Sequence, residues 1–388
     1  MTDCVRTYSA DFGLEQVPEI AARHGLSVLQ GLWLSRDVEK NRAQIETAIA
    51  LANRYPKVIR AVVVGNEVLL RGEMPAQTLA QTIRAVKARV SAPVSYADVW
   101  EFLLRNPDVA AATDFVTIHI LPYWEDFPIA AKNAGAHVDA IRARVVSAIA
   151  GKDILIGEFG WPSAGRMREG ALPSPANQAR VIQDVLARAR LGNYQVNIIE
   201  AFDQPWKRAL EGTVGGHWGL LDDRTREPKF RWGEPVSDHP HWLWQAGGGI
   251  IFAVGIFSVA FRTRGTAPAL RDWLAVAGSA LAGGIFVGWT IENISIESLG
   301  IAGWGRSLAI AATALLAPPL VAAALTSGMT APSFADIIGP ANQRTRDPLA
   351  RLYGLVLIVF TVLAIMVALG LVFDPRYRDF PFAPFTMA

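Results

Sequence analysis

The first 240 residues alternate short apolar runs of strand character with longer stretches of helical period. Strand-like runs occupy Cys4–Ser9, Ser27–Leu34, Val58–Val64, Pro93–Tyr96, Phe115–Ile120, Asp153–Gly157 and Gln195–Ala201. Between them lie helical patterns: from Leu14 to His24, closed by Gly25, from the mid-thirties to Tyr55, and from Pro75 to Val90. Strand and helix in strict alternation predict a parallel sheet covered by helices. An open doubly wound sheet usually carries a Gly-rich phosphate turn after an early strand, and none is visible. Seven strands in this order therefore predict an α/β fold, a (β/α)8 TIM barrel lacking its first strand, because almost nothing precedes Cys4. The chain also starts without the charged and apolar segment of a secretory signal. Both features lead us to expect a natural gene product that extends upstream of Met1.

Beyond Leu243 the pattern changes. Four nearly charge-free apolar runs, about 243–261, 273–291, 308–325 and 352–373, each approach the roughly 20 residues that a membrane-spanning helix needs. They raise the mean hydropathy to +0.25. The expected organisation is a barrel over 1–240 and an all-α four-helix transmembrane domain over 241–388. The first connection carries Arg262, Arg264 and Arg271 and the third Arg344, Arg346 and Arg351, while the second has Arg306 beside Glu292 and Glu297. The positive-inside rule then puts the first and third connections in the cytoplasm and the barrel outside. Lys229, Arg231, Arg376 and Arg378 weigh against that orientation. The expected location is a bacterial inner membrane, multi-pass, with the barrel in the periplasm. Pro318-Pro319 predicts a kink in the third span. Glu292 and Glu297 are expected to be solvated at its outer edge, and no ionisable residue lies deep within a span, so anchoring is the expected role.

Composition removes several classes. The single cysteine, Cys4, excludes an intramolecular disulfide and a cysteine-based zinc site. The net charge of +2 is spread without a Lys/Arg-rich patch, which gives no case for nucleic acid.

The candidate chemistry is a pair of glutamates. Ile154-Leu155-Ile156-Gly157-Glu158-Phe159-Gly160-Trp161-Pro162 is an apolar strand that presents Glu158 near its carboxyl end, where barrels carry their chemistry. Val62-Val63-Val64-Gly65-Asn66-Glu67 presents Glu67 in the same way. Counted with one absent strand, the two fall on the fourth and seventh barrel strands and face one cleft. Each has a plainer reading alone: Glu158 paired with an arginine, Gly-Asn-Glu as a helix cap. Together they are the machinery of glycoside cleavage, one carboxyl protonating the leaving oxygen and the other attacking the sugar carbon. Asn66 is placed to hydrogen-bond the sugar 2-hydroxyl. Tyr8, Tyr123 and Trp124 follow strands and would line the cleft, as would Trp161 and Trp206. His119 reads either as a ligand-binding residue or as a satisfied barrel histidine, with the second favoured. No cluster has metal spacing, and neither metal nor cofactor is expected.

Gly65-Asn66-Glu67 and Gly157-Glu158-Phe159-Gly160-Trp161-Pro162 resemble the acid/base and nucleophile motifs of glycoside hydrolase family 17. Phe202-Asp203-Gln204-Pro205-Trp206-Lys207 and His217-Trp218-Gly219-Leu220 resemble its closing segment. The likeness covers about residues 4–235 and is strongest to a bacterial, membrane-attached branch associated with β-1,3/1,6-glucans. It implies a (β/α)8 barrel with retaining chemistry on β-glucan, Glu67 as acid/base and Glu158 as nucleophile. It also adds Phe202 and Asp203 to the substrate-binding set. Asp203-Gln204 departs from the glutamate usual in plant members. The expected function is a membrane-anchored β-1,3-glucan transglycosylase, elongating or β-1,6-branching, with a glucan synthase as a possible partner. The alternatives are a β-1,3-glucanase on the same site, and a non-catalytic glucan-binding scaffold. A sugar-nucleotide synthase is disfavoured for want of a nucleotide-binding domain.

Overall fold

The computed structural model describes residues 2–265 and 268–373 and resolves into two compact units. The first comprises Met1–Trp161, Glu169–Ala171 and Asn177–Phe202, and the second Pro162–Arg168, Leu172–Ala176 and the chain from Asp203 on.

All seven expected strands form: β1 Cys4–Arg6, β2 Ser27–Leu32, β3 Ile59–Asn66, β4 Val94–Val99, β5 Val116–His119, β6 Ile154–Phe159 and β7 Val196–Ile198. They pair in sequence order, every pair parallel, to make a nearly closed barrel of TIM type. The helices of this unit are α1 Val17–Arg23, α2 Val38–Arg54, α3 Ala76–Lys87, α4 Trp100–Arg105, α5 Pro107–Ala112, α6 Ala134–Ala148 and α7 Pro175–Leu191. Strands covered on both faces must be apolar throughout, which explains why β3 reads as a run of valines. Val62, Val63 and Val64 are all buried there. The helices are held at their starts by ordinary local chemistry. Asp37 caps α2 by accepting from Glu39 N and Lys40 N, both at 3.1 Å. α3 buries Leu79, Ala80, Ile83 and Val86, one stripe of a 3.6-residue period.

The ladders lose register at the carboxyl ends of the strands. Ile118 pairs with Ile156 but His119 pairs with Glu158, and on the other side Ile156 pairs with Val196 but Phe159 with Ile198. Gly157 is thus skipped by both neighbours. A similar shift separates Val63 and Asn66 on β3. Such bulges bend a strand and re-aim its side chains.

In the second unit a short helix α8, Arg208–Glu211, precedes α9 Trp242–Thr263, α10 Leu270–Glu297, α11 Gly300–Ser327, the short α12 Phe334–Ile338 and α13 Pro348–Phe373. Among the described residues, four helices are long and apolar enough to cross a membrane: Trp242–Thr263, Leu270–Glu297, Gly300–Ser327 and Pro348–Met366. They coincide with the four runs expected from hydropathy. Arg376 and Arg378, which entered the orientation count, lie outside the described residues. α9, α10 and α11 pack through Ile256, Ala260, Val276, Ala280 and Ala322, with Phe257 stacked on Trp273 at 6.2 Å. Hydroxyls on the helices bond back to their own backbone, as Thr290 does to Phe286 O and Thr326 to Ala322 O, both at 2.8 Å.

One expectation is corrected here. Glu297 is not solvated: it is buried, and Arg166 Nε donates to its carboxylate at 2.7 Å. The end of α10 leaves carbonyls without helical partners. Arg166 Nη2 reaches Glu297 O at 2.9 Å and Arg208 Nη2 reaches Ser295 O at 2.9 Å and Ile296 O at 2.5 Å. Guanidinium groups there also oppose the negative end of the helix dipole.

Candidate active site

Glu67 stands one residue past β3 and Glu158 lies inside β6, one residue short of its end. Two backbone features set them. Gly65 adopts φ 87°, and Glu67 itself lies in the left-handed region at φ 53°. A Cβ on Gly65 would sit 2.7 Å from Val68 Cγ2, so only glycine fits this turn. At Gly157 a Cβ would meet Thr117 Cγ2 at 2.2 Å and Arg6 Nη1 at 3.1 Å. The skipped residue must therefore be glycine for the side chains around it to converge.

Those side chains come from six strands, β1 and β3 to β7. Arg6 on β1 donates from Nη1 to Gly157 O at 2.6 Å and from Nη2 to Asn66 Oδ1 at 2.6 Å. Its Nη1 also lies 3.6 Å from Glu158 Oε1, with both side chains largely buried. Asn197 on β7 donates to the same Gly157 carbonyl at 3.0 Å, so side chains replace the ladder partners that the bulge removed. His119 on β5 places Nδ1 2.9 Å from Glu67 Oε1 and Nε2 3.5 Å from Glu158 Oε1. One oxygen of each carboxylate and a ring nitrogen all fall within 4.8 Å of one another. Three donors so close could face a cation, but Arg6 already brings positive charge to Glu158. On β4 the buried Asp98 accepts from Leu69 N at 3.2 Å, Leu70 N at 3.4 Å and the Tyr96 hydroxyl, which fixes the turn that carries Glu67. Arg71 in that turn donates to Asn66 O and to Leu34 O and lies over the Trp33 ring at 4.1 Å.

The electrostatics follow from these contacts. Burial pushes the Glu67 carboxyl up, but the hydrogen bond and charge of His119, then Arg71 and Arg6, outweigh it and leave Glu67 below its ordinary value. Tyr8 lies over the Arg6 guanidinium at 4.5 Å. Its hydroxyl is raised well above the usual phenol range, first by burial, then by the negative charge of Glu158 and a hydrogen bond to it. Asp98 is raised, chiefly by burial.

Of the residues singled out from sequence, Glu67, Glu158, Asn66 and Tyr8 meet in this cluster. Tyr123 and Trp161 are both buried, their rings edge to face at 6.3 Å, and Tyr123 meets Trp124 in the same way at 4.9 Å. Phe202, the last residue of the first unit, is 36% exposed. Asp203 and Trp206 belong to the second unit. There Asp203 is buried against Lys229 Nζ at 2.6 Å and accepts from Gly219 N at 2.8 Å, whereas Trp206 is 62% exposed. His119 is not a bystander in the barrel wall, since it bonds Glu67. Arg6, Asp98, Tyr96 and Asn197 were not foreseen. The visible signal for Arg6 was its two-residue spacing from Tyr8, which puts both on one face of a strand.

A sequence model of the BtgE/BtgC glycoside hydrolase domain matches residues 1–219. The chain belongs to that family. Its glycoside hydrolase domain is similar to a glucan 1,3-beta-glucosidase of Candida albicans, 29% identical over 231 residues, spanning 53% of this chain and 74% of the relative. Among solved structures it is similar to the family 17 β-1,3-glucanosyltransferase of Rhizomucor miehei, with 30% identity, a TM-score of 0.54, and coverage of 59% of this chain and 86% of that one. An active-site mutant of the same fungal enzyme, in complex with laminaritriose, matches at 29% identity with a TM-score of 0.54, covering 59% of this chain and 86% of that one. The family 17 resemblance of the two glutamate motifs and these relatives agree.

Proposed function

We propose that this BtgE/BtgC-family chain is a membrane-anchored retaining enzyme on β-1,3-glucan, in which Glu158 is the nucleophile and Glu67 the acid/base. The observation that carries the reading is the carboxylate spacing. Oxygens within 4.8 Å suit the covalent route, for which about 5–5.5 Å is usual, and leave no room for the water of an inverting site at about 6.5–9.5 Å. Glu67, held low by His119 in the unliganded protein, takes up a proton as substrate shields the site and passes it to the leaving oxygen while Glu158 bonds to the sugar carbon. Glu67 then takes the proton of the incoming acceptor. Asn66, with Oδ1 engaged by Arg6, keeps its amide NH2 for the sugar 2-hydroxyl. Tyr8 holds Glu158, and Trp124 and Phe202 are the sequence-chosen aromatics of the first unit left to meet the sugar, with the buried Tyr123 and Trp161 packed behind them.

Transfer to a sugar is preferred over transfer to water, in line with the fungal glucanosyltransferase that the barrel resembles. The division into a catalytic domain over 1–240 and a membrane domain over 241–388, the periplasmic orientation in a bacterial inner membrane and a glucan synthase partner belong to the same reading. They are supported by the four apolar helices and the arginines of the first and third connections.

The test is to incubate the purified chain with laminari-oligosaccharides and resolve products by mass and linkage. Longer or branched products alongside shorter ones are expected. Shorter products alone make it a glucanase. Glu158→Gln should lower turnover by at least about 10³-fold. An inert wild type that still binds laminari-oligosaccharides would make it a glucan-binding scaffold.

A further inference from the structure

We propose that His119 is a positioning residue that serves both carboxylates through one imidazole, holding whichever of Glu67 and Glu158 carries the negative charge. This rests on the assignment of Glu158 as nucleophile and Glu67 as acid/base. The ring is buried, its Nδ1 2.9 Å from Glu67 Oε1 and its Nε2 3.5 Å from Glu158 Oε1. Nε2 has no hydrogen-bond partner within range. A buried polar atom left in this state is costly unless something satisfies it during the working cycle. The carboxylate of Glu158, 3.5 Å away, is the acceptor within reach of it among the contacts of the described residues.

The charge bookkeeping gives His119 its part. In the first step the Glu67 proton passes to the glycosidic oxygen, the bond from that oxygen to the sugar carbon breaks, and an electron pair of Glu158 forms the new ester bond. Negative charge disappears from Glu158 and appears on Glu67. In the second step the acceptor hydroxyl gives its proton to Glu67, its oxygen takes the sugar, and Glu158 is released as a carboxylate. The charge therefore crosses from one side of the imidazole to the other and back. A ring in contact with both sides follows it without moving, and its own protons are not consumed.

Among the described residues the charged and titratable groups gathered around this exchange are Arg6 from β1 and Tyr8 just past it, Glu67 and Arg71 from the turn after β3, Asp98 from β4, Glu158 from β6 and Glu200 just past β7. Arg6 is tied to Gly157 and Asn66, and Arg71 to backbone carbonyls. Among the ion pairs of the described residues, His119 is the side chain that reaches an oxygen of each carboxylate. Because it helps to hold Glu67 as a carboxylate, its removal leaves burial less opposed, and Glu67 keeps its proton to higher pH.

The experiment compares wild type, His119→Asn and His119→Gln in the full chain. One substrate is a laminari-oligosaccharide, whose leaving group needs a proton. The other is a dinitrophenyl β-glucoside, whose leaving group does not. Both variants should lose about 10–100-fold in kcat/KM on the oligosaccharide, and the pH limb set by Glu67 should move up by about one unit. On the dinitrophenyl substrate the loss should be several-fold smaller. Equal losses on both substrates with unmoved limbs would overturn the proposal. If neither variant folds, the wild type still decides it through histidine-labelled NMR before and after trapping Glu158 with a 2-fluoro-glucoside. The His119 signals must shift on trapping, and unchanged signals also overturn it. The underlying assignment fails separately, if Glu158→Gln retains wild-type turnover.

Discussion

The barrel and the apolar helices are built inside out with respect to one another. In the barrel the large aliphatic and aromatic side chains are the interior: Val62, Leu79, Ile83, Ile118 and Phe159 are all buried. In the helices many large side chains point away, Ile251 at 75% exposed and Ile301 at 94%, while small residues, Ala260, Ala280 and Ala322, share the packed positions with Ile256 and Val276. Water makes burial of large apolar area the main driving force for the barrel. For a helix in lipid that force is absent, because the surroundings are as apolar as leucine, and association relies on small residues that let backbones approach. Gly283 shows this directly: a Cβ there would lie 2.6 Å from Pro318 Cγ and 3.0 Å from Phe252. Buried charge obeys the same division: the barrel holds Glu158 and Asp98 near the carboxyl ends of its strands, and Glu297 is buried against Arg166 at the end of α10.

The comparison is most severely tested at Glu297. Removing one partner of a buried pair leaves an uncompensated charge, so Arg166→Met or Glu297→Gln should each cost about 3–5 kcal/mol of stability in detergent. The double variant should lose less than the sum of the two. Additive losses would mean that the pair is not coupled. A smaller effect separates the two exposed surfaces. Ile251→Lys, near the middle of α9, should penalise membrane insertion by about 2.5–3.5 kcal/mol, while Leu191→Lys, also exposed but on the barrel unit, should stay within about 0.5 kcal/mol. Carbonate-resistant membrane association and thermal unfolding read the two. Equal outcomes would show that the helices do not face lipid.

The smallest effect concerns His217 in the second unit, pushed down to about 4 by burial, then by Lys229 and Arg208. Its folded-state value lies below the roughly 6.5 of an exposed imidazole, so the unfolded chain takes up a proton that the folded one refuses. Stability should therefore fall as pH drops from about 6.5 towards 4, by about 3 kcal/mol at most. His217→Gln should flatten that part of the unfolding profile.

Elements were legible because each is a local pattern. Seven strands and four long helices appear where period and length place them, and the glutamates were marked by the glycines beside them. The partners of those glutamates were not legible, because Arg6, Asp98 and His119 meet only through the pairing of strands far apart in sequence. Burial at a helix end was also beyond reach. Glu297 looks like any residue at the edge of an apolar run until Arg166, 131 positions earlier, is brought to it.

Gly157 has a consequence for anyone who would redesign this protein. The carboxylates are replaceable parts, and either can be exchanged for another side chain by ordinary mutation. The frame that aims them is a single omitted backbone pairing, stabilised by donors from Arg6 and Asn197 and kept open by the lack of one carbon atom. A graft onto another parallel barrel would have to carry the defect before it carried the glutamates.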